Sequence, residues 1–150
     1  MNIDRNKKVI LYLVNEMGYS IDSSLKLMKI MFLIEHYNSN KRKLVERGLL
    51  ENSFFINEQG VFSDNVLRCF NSLVSEGKIK DGFPLEANVR VKFNDGGKER
   101  IDNIIYEFKN VSNYDLDNAI LTMLGIDSFD KREFYGVEVC ELIKDNILEK

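Results

Sequence analysis

Apolar residues recur along this chain mostly at helical spacing, interrupted by short stretches at the period of a strand. Val9, Ile10, Leu13, Val14 and Met17 form an i, i+1, i+4, i+5, i+8 stripe, with Lys7, Asn15 and Glu16 on the outer side. This predicts an amphipathic helix over Asp4 to Met17, stopped by Gly18. From Ser24 to Tyr37 the pattern changes. Nine of the fourteen residues are large and apolar: Leu25, Leu27, Met28, Ile30, Met31, Phe32, Leu33, Ile34 and Tyr37. At about 100° per residue they cover most of a helix circumference, and Lys26, Lys29 and His36 share one narrow arc. A helix that is apolar nearly all round is expected to be buried and central. Ser20, Asp22 and Ser23 before it are N-cap residue types. At fourteen residues it is shorter than the about 20 needed to span a bilayer.

Asn38 to Asn40 end that helix. Ser53 to Asn57 is an aromatic and β-branched run bounded by Asn and by Gly60, which predicts a short strand. Ser63 then precedes a clean amphipathic segment, Asp64 to Ser75. Val66, Leu67, Phe70, Leu73 and Val74 share one face, and Asp64, Arg68, Asn71, Ser72 and Ser75 the other. Gly77 is a natural residue just past its end. Ala87 to Phe93 alternates strictly, with Val89, Val91 and Phe93 on one side and Asn88, Arg90 and Lys92 on the other, and predicts the strongest strand of the chain. Asn94 to Gly97 is a turn by composition. Ile101, Ile104, Ile105 and Phe108 return to helical spacing, with a hairpin strand over 98–109 as the alternative. Ser112 to Asp115 resembles a capping arrangement for a helix through Leu116, Ala119, Ile120, Met123 and Leu124. A polar connection, Asp127 to Glu133, leads to a last helix, Tyr135 to about Asn146, whose stripe is Val139, Cys140, Ile143 and Ile147. The expected fold is mainly α in an α+β arrangement. About six helices surround a central buried helix beside a small antiparallel sheet, and a winged-helix layout is one form this could take.

At 150 residues the chain suits one domain, 1–150, able to bury about two thirds of its unfolded surface without staples. A single Pro and the absence of repeats or low-complexity segments fit that reading. Two cysteines, Cys69 and Cys140, sit among apolar residues and read as reduced core thiols. The apolar run after MNIDRNKK is too short for a signal-peptide core, so a cytoplasmic location is expected by default. The net charge of -3 is unevenly spread. Residues 1–50 carry 9 Lys/Arg against 5 Asp/Glu (+4), residues 51–100 carry 7 against 8 (-1), and residues 101–150 carry 5 against 11 (-6). An acidic chain is not the usual footprint of a nucleic-acid binder, although a local patch can serve. The densest basic cluster is Lys41, Arg42, Lys43 and Arg47. It reads either as an anion contact or, more plainly, as a solvated face.

No catalytic signature is visible. His36, the one histidine, lies between Glu35 and Tyr37 with no nucleophile indicated, so a structural role is expected. One His and two separated Cys do not make a zinc set. Asp115 and Asp117, or Asp127, Asp130 and Glu133, do not follow the EF-hand order of ligands, and carboxylates at a helix start are explained by the helix dipole. Gly96-Gly97 lacks the strand, Gly-rich loop and helix of a phosphate cradle. No catalysis, cofactor or metal is expected, and the function class that remains is binding.

Two binding readings follow. In the first, helix 22–37, a break, helix 64–75 and a strand pair around Lys78 to Phe93 approximate a winged helix. Arg68, Asn71, Ser72 and Ser75 would face base edges, and Arg90 and Lys92 would face phosphate, in a DNA-binding regulator expected to be a homodimer. Asp64 and Glu76 weaken that face. The second comes from resemblance. Leu27, Lys29, Ile30, Met31 and Phe32 resemble the Leu-x-Lys-Leu-Leu-aromatic pattern that opens the Panacea domain of SocA-like antitoxins. Gly60-Val61-Phe62-Ser63, followed by Val66, Phe70, Leu73 and Gly77-Lys78-Ile79, is similar to that family's Gly-Pro-aromatic-Ser step, helix and Gly-x-Ile exit. Val61 stands where the family has Pro. The resemblance covers about residues 5–80. It implies a helix-rich domain that neutralises or presents a partner toxin by direct contact, without catalytic residues. The acidic last third and the outer side of helix 64–75 are the expected contact surfaces.

Overall fold

Three serines open three of the helices. In the computed structural model, Ser23, Ser63 and Ser112 each accept a hydrogen bond from the backbone N–H three residues on, that of Lys26, Val66 and Asp115. The structure describes residues 3–148 apart from Asp22, Arg47, Phe83 and Asp95, and side chains as far as residue 145. The cap candidate Asp22, the basic Arg47 and the side chain of Ile147 therefore lie outside the described residues.

The helices are α1 (Ile3–Met17), α2 (Ser24–His36), α3 (Asp64–Ser75), α4 (Lys98–Phe108), α5 (Asn113–Met123) and α6 (Val139–Leu148), with 3-10 turns at Gly18–Ser20 and Ser128–Phe134. Six short strands, β1 (Tyr37–Asn38), β2 (Lys43–Leu44), β3 (Phe55–Asn57), β4 (Gly60–Phe62), β5 (Ile79–Lys80) and β6 (Glu86–Ala87), pair antiparallel as β1–β2, β3–β4 and β5–β6. The fold is thus mainly helical with small antiparallel ladders. Segment 98–109 is resolved as helix: Ile101, Ile104 and Phe108 are buried on one face.

Eleven of the thirteen residues of α2 are buried, and the helix packs against α1, α3, α4, α5, β1 and β4. Its polar arc is buried too. Lys26 Nζ donates to the Lys109 carbonyl at 3.0 Å, and Lys29 Nζ to Asn113 Oδ1 at 3.0 Å. Burying an amine without such partners would cost several kcal/mol, roughly. Apolar residues of all six helices join one cluster, from Val9 of α1 to Ile143 of α6.

Three expectations are corrected. Ala87 to Phe93 is not a strand beyond Ala87. The ladder register is Ile79 with Ala87 and Lys80 with Glu86. Asn88 then donates its side-chain amide to the Gly77 carbonyl, and the Val89 carbonyl accepts Asn15 Nδ2. The expected inner face is not uniform either: Phe93 is buried, Val91 half-buried and Val89 exposed. Gly60 to Phe62, expected only as the step into α3, is the second strand of a hairpin in which Phe55 faces Phe62 and Ile56 faces Val61. The last helix starts at Val139, not Tyr135. Tyr135 and Gly136 form a tight turn, with Gly136 at φ +86° and the Val137 N–H donating to the Phe134 carbonyl. The chain then meets β3, the Ile56 N–H donating to the Val137 carbonyl and the Val139 N–H to the Phe54 carbonyl.

Candidate interaction surface

The outer face of α3 forms as the periodicity requires. Val66, Cys69, Phe70 and Leu73 are buried, while Arg68, Asn71 and Ser75 are exposed. Ser72 is half-buried, and its hydroxyl donates to Glu76 Oε1 at 3.0 Å. Glu76 also holds Lys7 of α1 at 2.7 Å and Lys78 at 3.3 Å. The Lys7 bond, then those from Ser72 and Lys78, draws the Glu76 carboxyl down to about 2. The end of this face is therefore an anionic group that carries two lysines, not a free cation.

Arg90 and Lys92 are exposed. Arg90 lines a surface cavity of about 370 Å³ together with Val14, Asn15 and Tyr19 at the end of α1 and with Leu85 and Ala87. Among the described residues no hydrogen bond or ion pair ties Arg90 or Lys92 to the α3 face. The structure brings Arg68, Asn71, Ser72 and Ser75 together on one helix and leaves the other two on a separate segment.

The residues of the two sequence patterns meet in the interior. Leu27, Lys29 and Phe32 are buried, as are Gly60 and Ser63, and Phe62 is half-buried against Phe55. Gly60 has φ +107°, a conformation L side chains rarely adopt, and a Cβ there would collide with Asp117 Oδ1 and press on Lys29 Cε. Lys29 is 2% exposed and reaches Asn113, while Asp117 is bridged to Lys131 at 3.5 Å. Burial lowers the Lys29 pKa against the pull of Asp117. This group pins α5 and the β3–β4 hairpin onto α2. Leu27, Val61, Phe62, Val66 and Phe70 also line a small apolar groove of about 100 Å³.

Two further polar residues of α2 are fully enclosed. The Glu35 carboxylate, not singled out from sequence, accepts three backbone N–H groups: Leu50 at 2.7 Å and Glu51 at 3.2 Å on Oε2, and Asn52 at 2.5 Å on Oε1. Gly48 lies so close to it that any Cβ would collide. His36 Nδ1 lies 3.1 Å from the Val45 carbonyl and so carries the proton, while Nε2, on a ring packed against Phe32 and Phe54, has no partner among the described residues. Burial pushes the His36 pKa below its usual value. Cys69 and Cys140 are free thiols raised by burial.

The acidic last third displays apolar surface. Tyr106 of α4 is 91% exposed, Tyr114 of α5 76% and Phe129 of the following 3-10 turn 94%. Among the described residues no group of three or more His, Cys, Asp or Glu is placed to hold a metal ion, and no helix is long and apolar enough to cross a membrane.

A scan against protein-family models finds no matching family, and no curated protein or solved structure matches the chain.

Proposed function

We propose that this chain is a non-catalytic protein-binding module of the kind the SocA-like Panacea resemblance implies. It engages a basic protein partner, a toxin in the antitoxin form of the reading, through the acidic last third. The carrying observation is the exposure of Tyr106, Tyr114 and Phe129 on that third. Aromatic side chains offer large contact area at small entropic cost and dominate binding hot spots. Placed among 11 Asp/Glu against 5 Lys/Arg, they suit a partner of opposite charge. In this reading α2 is the central scaffold and the open face of α3 a second contact. The test is a tagged pull-down from host lysate digested with nuclease and read by mass spectrometry. One stoichiometric basic protein that survives digestion is expected. Loss of every partner on digestion would falsify the reading.

A second reading, a winged-helix DNA-binding regulator, is favoured by one observation: the β5–β6 pair directly follows α3, whose face presents Arg68, Asn71 and Ser75. Gel shifts on promoter-sized duplex at low salt test it. It requires binding that weakens steeply with salt and on Arg68→Ala, and an unshifted duplex at low salt rules it out.

A further inference from the structure

We infer that the polar cavity between the β1–β2 turn and the start of α4 is a binding site for a small sugar phosphate, a phosphate monoester carrying hydroxyl groups. The cavity measures about 270 Å³ and is lined by residues 38–40 on one side and by Gly96, Glu99, Arg100 and Asn103 on the other. That is near the lower limit of small-molecule sites, about 300 Å³, and suits a five-carbon sugar phosphate.

Arg100 carries the assignment. Its guanidinium is half-buried and, among the described residues, makes one hydrogen bond, from Nη2 to the Glu35 carbonyl at 3.0 Å, while its enclosed Nε has no partner among them. Among the described residues it has no carboxylate within salt-bridge distance. A guanidinium has five N–H donors in a fork that matches phosphate oxygens. A cation partly withdrawn from water and short of acceptors favours an anion beside it. Burial lowers the Arg100 pKa against the pull of Glu35, in keeping with this shortage.

Three further features agree. Ser39 lines the same cavity, and its enclosed Oγ has no partner among the described residues, so no bond holds the side chain from turning its hydroxyl into the cavity. The eleven residues of α4 begin without a side-chain cap, because Gly97 holds the N-cap position. Glu99 and Arg100 of its first turn line the cavity, and the uncapped first turn of a helix favours an anion nearby. Lys41 and Arg42 in the adjoining turn and Lys43 at the start of β2 are exposed, and none joins a salt bridge among the described residues. In the sequence this cluster reads either as an anion contact or, more plainly, as a solvated face.

The remaining groups select the ester over the bare ion. Glu99 in the lining would repel a naked phosphate but accepts a hydrogen bond from a sugar hydroxyl. The side chains of Asn40 and Asn103 make no hydrogen bond of their own among the described residues and serve hydroxyls in either sense. Asn38 Oδ1 is already taken by the N–H groups of Asn40 and Lys41, which fixes the turn.

The test titrates the full chain with ribose 5-phosphate, and separately with inorganic phosphate at matched ionic strength, followed by calorimetry and amide chemical shifts. Ribose 5-phosphate is expected to bind saturably and more tightly than inorganic phosphate, shifting amides of residues 38–40 and 96–103. Arg100→Lys keeps the charge but loses the fork, and is expected to weaken binding about tenfold. Because Arg100 also holds the Glu35 carbonyl, the surface variant Lys41→Gln/Lys43→Gln provides a second check, with a loss of about threefold at unchanged thermal midpoint. No saturable shift by about 10 mM ligand, weaker than any useful affinity, overturns the inference. So does binding indifferent to both variants. Saturation of the same amides by a DNA duplex while ribose 5-phosphate leaves them unmoved also overturns it, and assigns the cations to nucleic acid.

Discussion

At the scale of single residues, the enclosed polar groups of α2 make the sharpest demands. Glu35 satisfies the N–H groups of Leu50, Glu51 and Asn52 from a fully buried position. Glu35→Ala would leave three donors without acceptors, and each such orphan costs about 1–3 kcal/mol. A loss of about 3–5 kcal/mol in urea unfolding is expected, and a loss below about 1 kcal/mol would mean that water takes over the role. Lys29 behaves differently. It is nearly as buried, but replacing a buried charge by an apolar side chain of similar length is often neutral or stabilising. Lys29→Met is therefore expected to lie within about 1 kcal/mol of wild type, whereas Asn113→Ala, which strands the ammonium, is expected to cost about 2–3 kcal/mol by the same unfolding measurement. His36 supplies the pH dependence. Its folded pKa is below the ordinary 6.5 because burial resists the charged ring. The unfolded chain then binds the proton first as pH falls, so this group's contribution is intact above pH 6.5 and is lost on acidification. As the one histidine, it gives a single, unambiguous set of imidazole NMR signals. A titration midpoint below 6.5 is expected, and one above it would contradict the enclosed position.

At the scale of elements, caps and tertiary pairing divide what could be read from what could not. Ser63 is fully buried and caps α3, whereas Ser112 is exposed and caps α5. Ser63→Ala is expected to lose about 1–2 kcal/mol and Ser112→Ala about 0.5–1 kcal/mol in urea unfolding, and a reversed order would show that the caps do not set these helix starts. Both caps, and the bounds of α3, follow from local spacing and were legible. The alternation from Ala87 to Phe93 was read as a strand because period two reports which side of the chain is buried. It does not report whether a partner lies alongside, and here the partner β5 is two residues long. Tyr135 to Glu138 reads as the start of the last helix, but a turn at Gly136 and hydrogen bonds to the backbone of residues 54–56, in and just before β3 and some 80 residues earlier, keep it out of the helix. Gly60 to Phe62 pairs with that same β3. The Glu35 contacts are invisible for the same reason, since backbone amides leave no mark on side-chain pattern. The Arg100 cavity likewise joins a turn and a helix start far apart in sequence, although its lysines stood out as a charge cluster. Of the binding candidates, Arg68, Asn71 and Ser75 could be placed on one open face from periodicity alone, while the pairing of Ser72 with Glu76, and of Glu76 with Lys7, could not.

At the scale of the whole molecule, the charge runs from +4 in the first 50 residues to -6 in the last 50. The three most exposed aromatic rings of the acidic end are the groups through which the proposed protein contact is made. These side chains stand in water, and surface substitutions away from packed features usually change stability by less than about 0.5 kcal/mol. Their replacement therefore separates binding from folding. The most direct measurement compares the partner retained after nuclease digestion by wild type, by Tyr106→Ser/Tyr114→Ser/Phe129→Ser and by Arg68→Ala/Asn71→Ala, each first shown to keep its thermal midpoint. Loss of the basic partner in the triple aromatic variant, with no more than partial loss in the α3 variant, whose face is the second contact, is the outcome the protein-binding account requires. Full retention by the triple variant would contradict it.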